Sequence, residues 1–92
     1  MQQWFTYLLR CSDNSLYAGV TTDLNRRLIE HNNSNKLGAK YTRVRRPVTL
    51  AYAEKNQNRK TACQREYLIR KLTKQKKEHL VTLFDRTSIF DK

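Results

Sequence analysis

Arg27 and His31 are the first pair of side chains whose types and spacing suit chemistry. They lie four residues apart in a segment predicted to be helical, so both project from the same side of the helix. An arginine can hold a phosphate through two parallel hydrogen bonds, and an imidazole can hold or pass a proton near neutral pH. The pair suits a phosphate site, but it equally suits the exposed face of a basic helix.

Glu66 is a second candidate, because it falls on the apolar side of a later predicted helix. Ala62, Glu66, Ile69 and Thr73 follow one stripe at helical spacing. A carboxylate that is turned inward needs a cation. Two cations remain open: Arg27 in a structural ion pair, or a Mg²⁺ ion, which takes few protein carboxylates and keeps several waters.

Tyr7 and Tyr17 lie in two predicted strands that form a hairpin. Side chains alternate between the faces of a strand, so a two-residue turn at Asp13-Asn14 would place the tyrosines on opposite faces. A shared site needs the other parity, and we therefore predict an odd-length loop or a bulge. Gly19 indicates a close approach to the backbone, with space in which a ligand could lie.

The net charge is +11 over 92 residues, which points to a polyanionic partner such as nucleic acid. Residues 1–46 hold 8 basic and 3 acidic side chains, and residues 47–92 hold 11 and 5, so we expect the binding face to be part of the fold. Two cysteines and two histidines do not match the spacing of a zinc site. No segment has the pattern of a signal peptide or a membrane span, and we predict a cytoplasmic protein without membrane partners.

The local sequence patterns predict three strands and three helices that position these residues. The strands are 4–11, 16–21 and 48–53. The helices are one that Asp23 caps, one at 59–73 and one at 74–84. This order, β-β-α-β-α-α, predicts one α+β domain over residues 1–92, with a three-stranded antiparallel sheet flanked by helices. The core is expected at about 4–84, and 85–92 form a tail. Several apolar residues are expected to face inward on helices or to dock from the tail: Leu24, Leu28, Ile29, Leu72, Leu80, Leu83, Phe84, Ile89 and Phe90.

Residues 34–46 have no periodicity and form a long basic loop. Long loops of small domains are often functional, although a plain connector would look the same. The candidate nucleic-acid-binding residues of this loop are Lys36, Lys40, Tyr41, Arg43, Arg45 and Arg46.

Taken in order, the candidate residues resemble the motifs of the GIY-YIG nuclease domain. The resemblance runs from about Trp4 to Leu83, and it is closest to the small single-domain bacterial proteins of the UPF0213 type. The chain is also similar to the nuclease domain of structure-specific endonucleases that resolve branched DNA. An asparagine that several family nucleases carry some twelve to fifteen residues after the glutamate has no counterpart here. The matching positions are Phe5-Thr6-Tyr7, Tyr17-Ala18-Gly19, Arg27, His31 and Glu66, together with the stretch Leu37-Gly38-Ala39-Lys40-Tyr41-Thr42.

The resemblance implies a DNA endonuclease that hydrolyses phosphodiester bonds with one Mg²⁺ or Mn²⁺, with a role in DNA repair or recombination. It implies that Tyr7 or Tyr17 helps to deprotonate the attacking water and that Arg27 stabilises the charged phosphate. His31 then assists proton transfer or positions the tyrosine, and Glu66 is the protein ligand of the metal. A phenol with a pKa of ~10 is a poor base, and we expect the cations of this site to lower that pKa.

Two other classes of function fit the same sequence. One is a non-catalytic module that binds nucleic-acid backbones with its basic loop and helices. The other is a basic protein that assembles with other proteins. Because the chain carries no additional DNA-binding domain, we expect nuclease activity to be weak or non-specific, or to depend on a protein partner that supplies target choice.

Overall fold

The computed structural model describes residues 3–85 and residue 89. Three strands and four helices follow one another along this part of the chain. The strands are β1 (Trp4–Arg10), β2 (Leu16–Thr21) and β3 (Thr49–Asn56). The helices are α1 (Leu24–Asn33), α2 (Lys40–Arg43), α3 (Arg59–Arg70) and α4 (Lys74–Leu83).

The strands form one antiparallel sheet in the order β2-β1-β3, so β1 is central and β2 lies at an edge. The predicted α+β fold with a three-stranded antiparallel sheet is confirmed. Asp23 caps α1 as predicted, because its side chain accepts a hydrogen bond from the amide of Arg26 at 3.0 Å.

Several predicted boundaries were wrong. The polar segment predicted as a turn after residue 53 continues β3 to Asn56, because Glu54 pairs across the sheet with Thr6. Helix α3 ends at Arg70, and Thr73 instead caps α4, where its side chain accepts from the amide of Lys76. The basic loop contains the short helix α2.

The packing of the helices also differs from the prediction at two positions. Ile29 is 61% exposed, because α1 turns the stripe of Leu24, Leu28 and His31 toward the sheet. Leu83 is 66% exposed at the end of α4, whereas Phe84 and Ile89 pack against the core. The expected docking of Phe90 lies outside the described residues.

The hairpin has the parity that a shared tyrosine site needs. Leu9 pairs with Tyr17 and Tyr7 pairs with Gly19, and the loop between the strands spans residues 11–15, an odd number. Asn14 takes the left-handed conformation (φ 68°) in this loop, which asparagine tolerates better than most residues. Tyr7 and Tyr17 therefore lie on the same face of the sheet, as predicted.

The two faces of the sheet are covered by different helices. The face of Tyr7 and Leu9 contains the main core and packs against α1. On the opposite face, the hydroxyl of Thr6 donates to the carbonyl of Ala62 in α3 at 2.8 Å. Both sides of the thin sheet are thus shielded, which an eleven-kilodalton chain needs if it is to bury enough apolar surface.

Gly19 leaves room for the ring of Tyr7. A Cβ at this position would lie only 2.5 Å from Cζ of Tyr7, well inside van der Waals contact. The close approach that we predicted at Gly19 is therefore filled by Tyr7 and does not offer space for a ligand. The glycine lets the phenol ring lie flat across β2 and so sets the direction of its hydroxyl.

We predict that Gly19→Ala lowers the free energy of unfolding by about 1–3 kcal/mol, because the new methyl group collides with the Tyr7 ring. In the background of Tyr7→Leu, which removes the ring, the same change should cost less than about 0.5 kcal/mol. Urea denaturation of the four proteins of this double-mutant cycle measures both values. Equal costs in the two backgrounds would show that the ring does not impose the glycine.

Candidate active site

Tyr7, His31 and Thr42 form a buried hydrogen-bonded chain. The hydroxyl of Tyr7 lies 2.9 Å from Nε2 of His31, and Nδ1 of His31 lies 2.8 Å from Oγ1 of Thr42. Tyr7 is 2% exposed, and His31 and Thr42 are completely buried. The chain connects the central strand to α1 and then to α2, so three elements must be in place before it forms.

The bonds of Thr42 favour one tautomer of His31. The Thr42 hydroxyl has one proton, and the carbonyl of Ala39 accepts it at 3.0 Å. We therefore assign the imidazole proton to Nδ1, which donates to Thr42, and the lone pair to Nε2, which faces Tyr7. The amide of Ala39 also lies 3.4 Å from Nδ1, but this longer contact is weaker than the two bonds that support the assignment.

Arg27 lies beside these hydrogen-bonded side chains, and contacts with its own helix and the following loop hold it there. Its Nη1 donates to Glu30 at 2.8 Å and to the carbonyl of Leu37 at 2.7 Å. Its charge also acts on the Tyr7 hydroxyl and partly offsets the effect of burial on the pKa of that phenol. Arg27 and His31 thus share one side of α1, as their spacing predicts.

Burial controls the protonation of both partners in the central bond. It raises the pKa of Tyr7 to about 12, although Arg27 opposes the shift. Burial, assisted by the charge of Arg27, lowers the pKa of His31 to about 4. Both groups are therefore neutral near pH 7, and the expectation that nearby cations lower the pKa of the phenol was wrong for Tyr7.

Tyr17 connects the hydrogen-bonded side chains of Tyr7, His31 and Thr42 to a surface cleft. Its ring meets His31 edge-on, with centroids 5.5 Å apart, and it stacks on Tyr41 at 5.6 Å. Tyr17 is half-buried and also lines a cleft of about 290 Å³. A ligand in the cleft can therefore contact a ring that packs directly against His31.

Glu66 enters the same cleft from the other face of the sheet. It belongs to α3, and the cleft runs along the edge strand β2, so residues from both faces meet over that edge. The Glu66 side chain is 19% exposed and lies 3.5 Å from Arg70 in an ion pair. The alternative ion pair with Arg27 was wrong, because Arg27 binds Glu30.

The five lysines and arginines among the predicted nucleic-acid-binding residues divide into two groups. Arg46 donates to the carbonyls of His31 and Ser34 at 2.7 and 2.9 Å and so closes the C-terminal end of α1. Arg45 binds Asp13 at 3.0 Å and lies over the ring of Tyr41. In contrast, three exposed residues project from the loop with at most one bond to the backbone: Lys36, Lys40 and Arg43.

Sequence reasoning missed two residues of this region. Thr42 orients His31, and the only available signal was its place in the stretch 37–42 that resembles related nucleases. Lys77 of α4 lines the cleft beside Glu66. It lies in the segment that lacks the family's asparagine, so the missing residue drew attention to the region but did not identify the lysine.

The charged groups of the cleft provide a single carboxylate and no clustered ligand set. Within residues 3–85 and residue 89, no group of three or more histidine, cysteine, aspartate or glutamate side chains is placed to hold a metal. None of the described helices is long and apolar enough to cross a membrane.

We predict that acidification destabilises the fold through His31. Because its pKa falls from 6.5 to about 4 on folding, the unfolded chain binds more protons between these values. This contribution to stability is complete above pH 6.5 and is lost as the pH falls toward 4. It amounts to about 2 kcal/mol between pH 7 and pH 5.

Urea denaturation at both pH values should therefore show a smaller loss in His31→Gln than in the wild type. His79→Gln, at an exposed histidine of α4, is the matched control and should keep the wild-type loss. An unchanged pH dependence in His31→Gln would contradict the buried neutral imidazole.

Curated relatives with similar sequences are small bacterial proteins. A UPF0213 protein of Desulfotalea psychrophila is 50% identical over 78 residues, which cover 85% of this chain and 70% of the relative. The UPF0213 protein YazA of Bacillus subtilis is 51% identical over 74 residues, which cover 80% of this chain and 73% of the relative.

Solved structures and a family model agree with this similarity. The solution NMR structure of a UPF0213 protein from Bacillus halodurans has a TM-score of 0.55 and 39% identity, covering 89% of this chain and 85% of that one. A protein from E. faecalis has a TM-score of 0.58 and 43% identity, with coverages of 90% and 88%. The model of the GIY-YIG catalytic domain matches residues 3–79. This chain therefore belongs to the GIY-YIG family.

Proposed function

We propose that this protein is a divalent-metal-dependent endonuclease that hydrolyses phosphodiester bonds in DNA. Membership of the GIY-YIG family supports a nuclease-like role. The observation that carries the proposal is the position of Tyr17, which packs on His31 and also lines the cleft of Glu66. One ligand in that cleft can therefore contact the carboxylate and lie next to the buried tyrosine–histidine pair.

Glu66 is the proposed protein ligand of a Mg²⁺ or Mn²⁺ ion. A single carboxylate fits Mg²⁺, which commonly keeps several waters and shares its remaining positions with substrate phosphate oxygens. The ion pair with Arg70 is long, and Arg70 is 63% exposed, so little free energy is lost when this contact is exchanged. When bound, the ion would stabilise the negative charge that develops on the phosphate oxygens.

Tyr7 and His31 are proposed to move the proton of the attacking water. A neutral phenol accepts a proton only if it releases its own, and the lone pair of His31 Nε2 lies 2.9 Å from the Tyr7 hydroxyl. The water proton then passes to the Tyr7 oxygen while the phenolic proton passes to Nε2. The water oxygen forms a bond to phosphorus, and the bond to the leaving oxygen breaks.

Arg27 and Tyr17 are proposed to act on the phosphate. Glu30 and Leu37 hold the Arg27 guanidinium in place before substrate binds, so little reorganisation accompanies the reaction. Its positive charge stabilises the negative charge that the phosphate gains in the transition state. It also stabilises any negative charge on the Tyr7 oxygen. Tyr17 presents its ring to the cleft and positions the substrate next to the ring contact between Tyr17 and His31.

The basic loop is proposed to bind the nucleic-acid backbone. Lys36, Lys40 and Arg43 are exposed on it, whereas Arg45 and Arg46 shape the loop around Tyr41 and α1. Backbone phosphates are recognised by such side chains without reading the sequence. We further propose a cytoplasmic role in DNA repair or recombination, with target choice supplied by a protein partner.

A non-catalytic nucleic-acid-binding module remains the second candidate. The net charge of +11 favours it, because charge alone supports backbone binding. The half-buried Glu66 in the cleft argues for the nuclease, since a carboxylate weakens the binding of a polyanion unless it holds a cation.

We predict that Glu66→Gln and Arg27→Gln each reduce DNA cleavage by at least about 100-fold, because each removes a group that stabilises charge in the transition state. Cleavage of supercoiled plasmid, single-stranded and branched DNA with Mg²⁺ or Mn²⁺ measures the rates, and EDTA should abolish them. Arg26→Gln is the matched control, since Arg26 shares the helix and the partner Glu30 but is 57% exposed. Its rate should stay within about twofold of wild type.

The outcomes separate the candidate functions when circular dichroism shows that the variants are folded. Wild-type rates in both Glu66→Gln and Arg27→Gln would remove the proposed mechanism. Binding of DNA by the wild type without cleavage would favour the non-catalytic module. The absence of both activities would leave a protein that assembles with other proteins.

A further inference from the structure

The cleft at Glu66 continues into a second cavity. A cavity of about 440 Å³ lies between the hairpin loop and the first turn of α4. It shares three lining residues with the Glu66 cleft: Leu16, Tyr41 and Lys77. The two cavities therefore form one groove, which leads from Glu66 past Lys77 to Asn14 at the hairpin loop.

Lys77 is an unusual lysine in this groove. Every other lysine in residues 3–85 is exposed, whereas Lys77 is half-buried. Its ammonium group has no hydrogen-bond or ion-pair partner among the residues that the structure describes. An ammonium group without a protein partner is available to an anion that enters the groove, and the half-buried stem keeps it at the groove wall.

Helix α4 is fixed against the hairpin in a way that holds Lys77 in place. Arg10 of β1 binds Glu78 through two parallel hydrogen bonds, of which Nη2 to Oε1 measures 2.6 Å. The hydrogen bond with Arg10 lowers the pKa of Glu78 to about 2, so the pair stays ionised in mild acid. Lys74 adds a bond to the carbonyl of Asn14 in the hairpin loop.

The charges of α4 also favour an anion near its first turn. Lys74 and Lys77 lie there and line the groove, and the turn contains no acidic residue. Cations at the N-terminus of a helix oppose the macrodipole and therefore destabilise the helix. This arrangement does not serve helix stability, which supports a role in binding.

We propose that Lys77 binds a backbone phosphate of the nucleic-acid strand, next to the phosphate at Glu66, and that the strand continues along the groove toward the hairpin loop. This inference rests on the proposed function and adds the path of the substrate. Lys77 is a binding residue in it, distinct from the groups that transfer protons. The basic loop binds the remaining backbone, on the other side of Tyr41.

The test measures binding without cleavage. Fluorescence anisotropy with labelled single-stranded and duplex DNA oligonucleotides, from 50 to 300 mM NaCl, gives the affinity and its salt dependence, both in EDTA and with Ca²⁺ in place of Mg²⁺. We expect Lys77→Gln to weaken binding about fivefold to tenfold at low salt and to reduce the slope of log K against log salt by roughly 0.7–0.9, the value for one phosphate contact.

Two variants isolate the local effect of Lys77. Lys76→Gln makes the same change in net charge one residue away, outside the groove, and should weaken binding less than twofold. Lys77→Arg keeps the charge and should retain most of the affinity. Equal losses of affinity in Lys77→Gln and Lys76→Gln would contradict the phosphate site at Lys77 and would leave the proposed function standing. Failure of the wild type to bind any oligonucleotide, both in EDTA and with Ca²⁺, would overturn the proposed function and the site with it.

Discussion

The hydrogen bond between the Tyr7 hydroxyl and Nε2 of His31 joins the central strand to α1, and much of the local structure depends on it. Both side chains are buried, so each would lose a partner that water cannot replace if the bond broke. The bond requires Gly19 to have no side chain, because the Tyr7 ring occupies that space. Thr42 binds the far side of the imidazole, and this contact attaches the loop after α1 to the same pair of side chains.

The same bond explains why the site forms at an edge of the sheet. Tyr7 and His31 are enclosed. Tyr17, on the edge strand, packs on His31 and also lines the cleft, so it connects the cleft to the enclosed pair. Because none of the described strands pairs with the outer side of β2, Glu66 from the opposite face can approach the same cleft. A small sheet thereby brings together residues from both of its faces without an additional domain.

Some basic residues attach parts of the fold to one another and others offer charge to a ligand, and the amino-acid composition does not distinguish the two groups. Arg10, Arg45 and Arg46 are used to attach α4, the hairpin loop and the end of α1. Arginine suits these positions because its planar group binds several acceptors at once. Lysines supply most of the charge that remains available to a ligand. Among the described lysines, Lys74 and Lys77 line the groove, and only Lys77 is half-buried.

The sequence by itself determined the element order, the antiparallel sheet and the cap at Asp23, because these follow from local periodicity and turn chemistry. The parity of the hairpin was predicted only from the requirement that the two tyrosines share a site, and the tertiary structure decided the register. It also identified the five candidate residues, although their roles remain proposals. Only the tertiary structure decided the partner of Glu66, the neutral state of Tyr7 and the place of Lys77 in the cleft. Ion-pair choice, desolvation and a groove between distant elements depend on contacts between residues far apart in the chain, which no local pattern encodes.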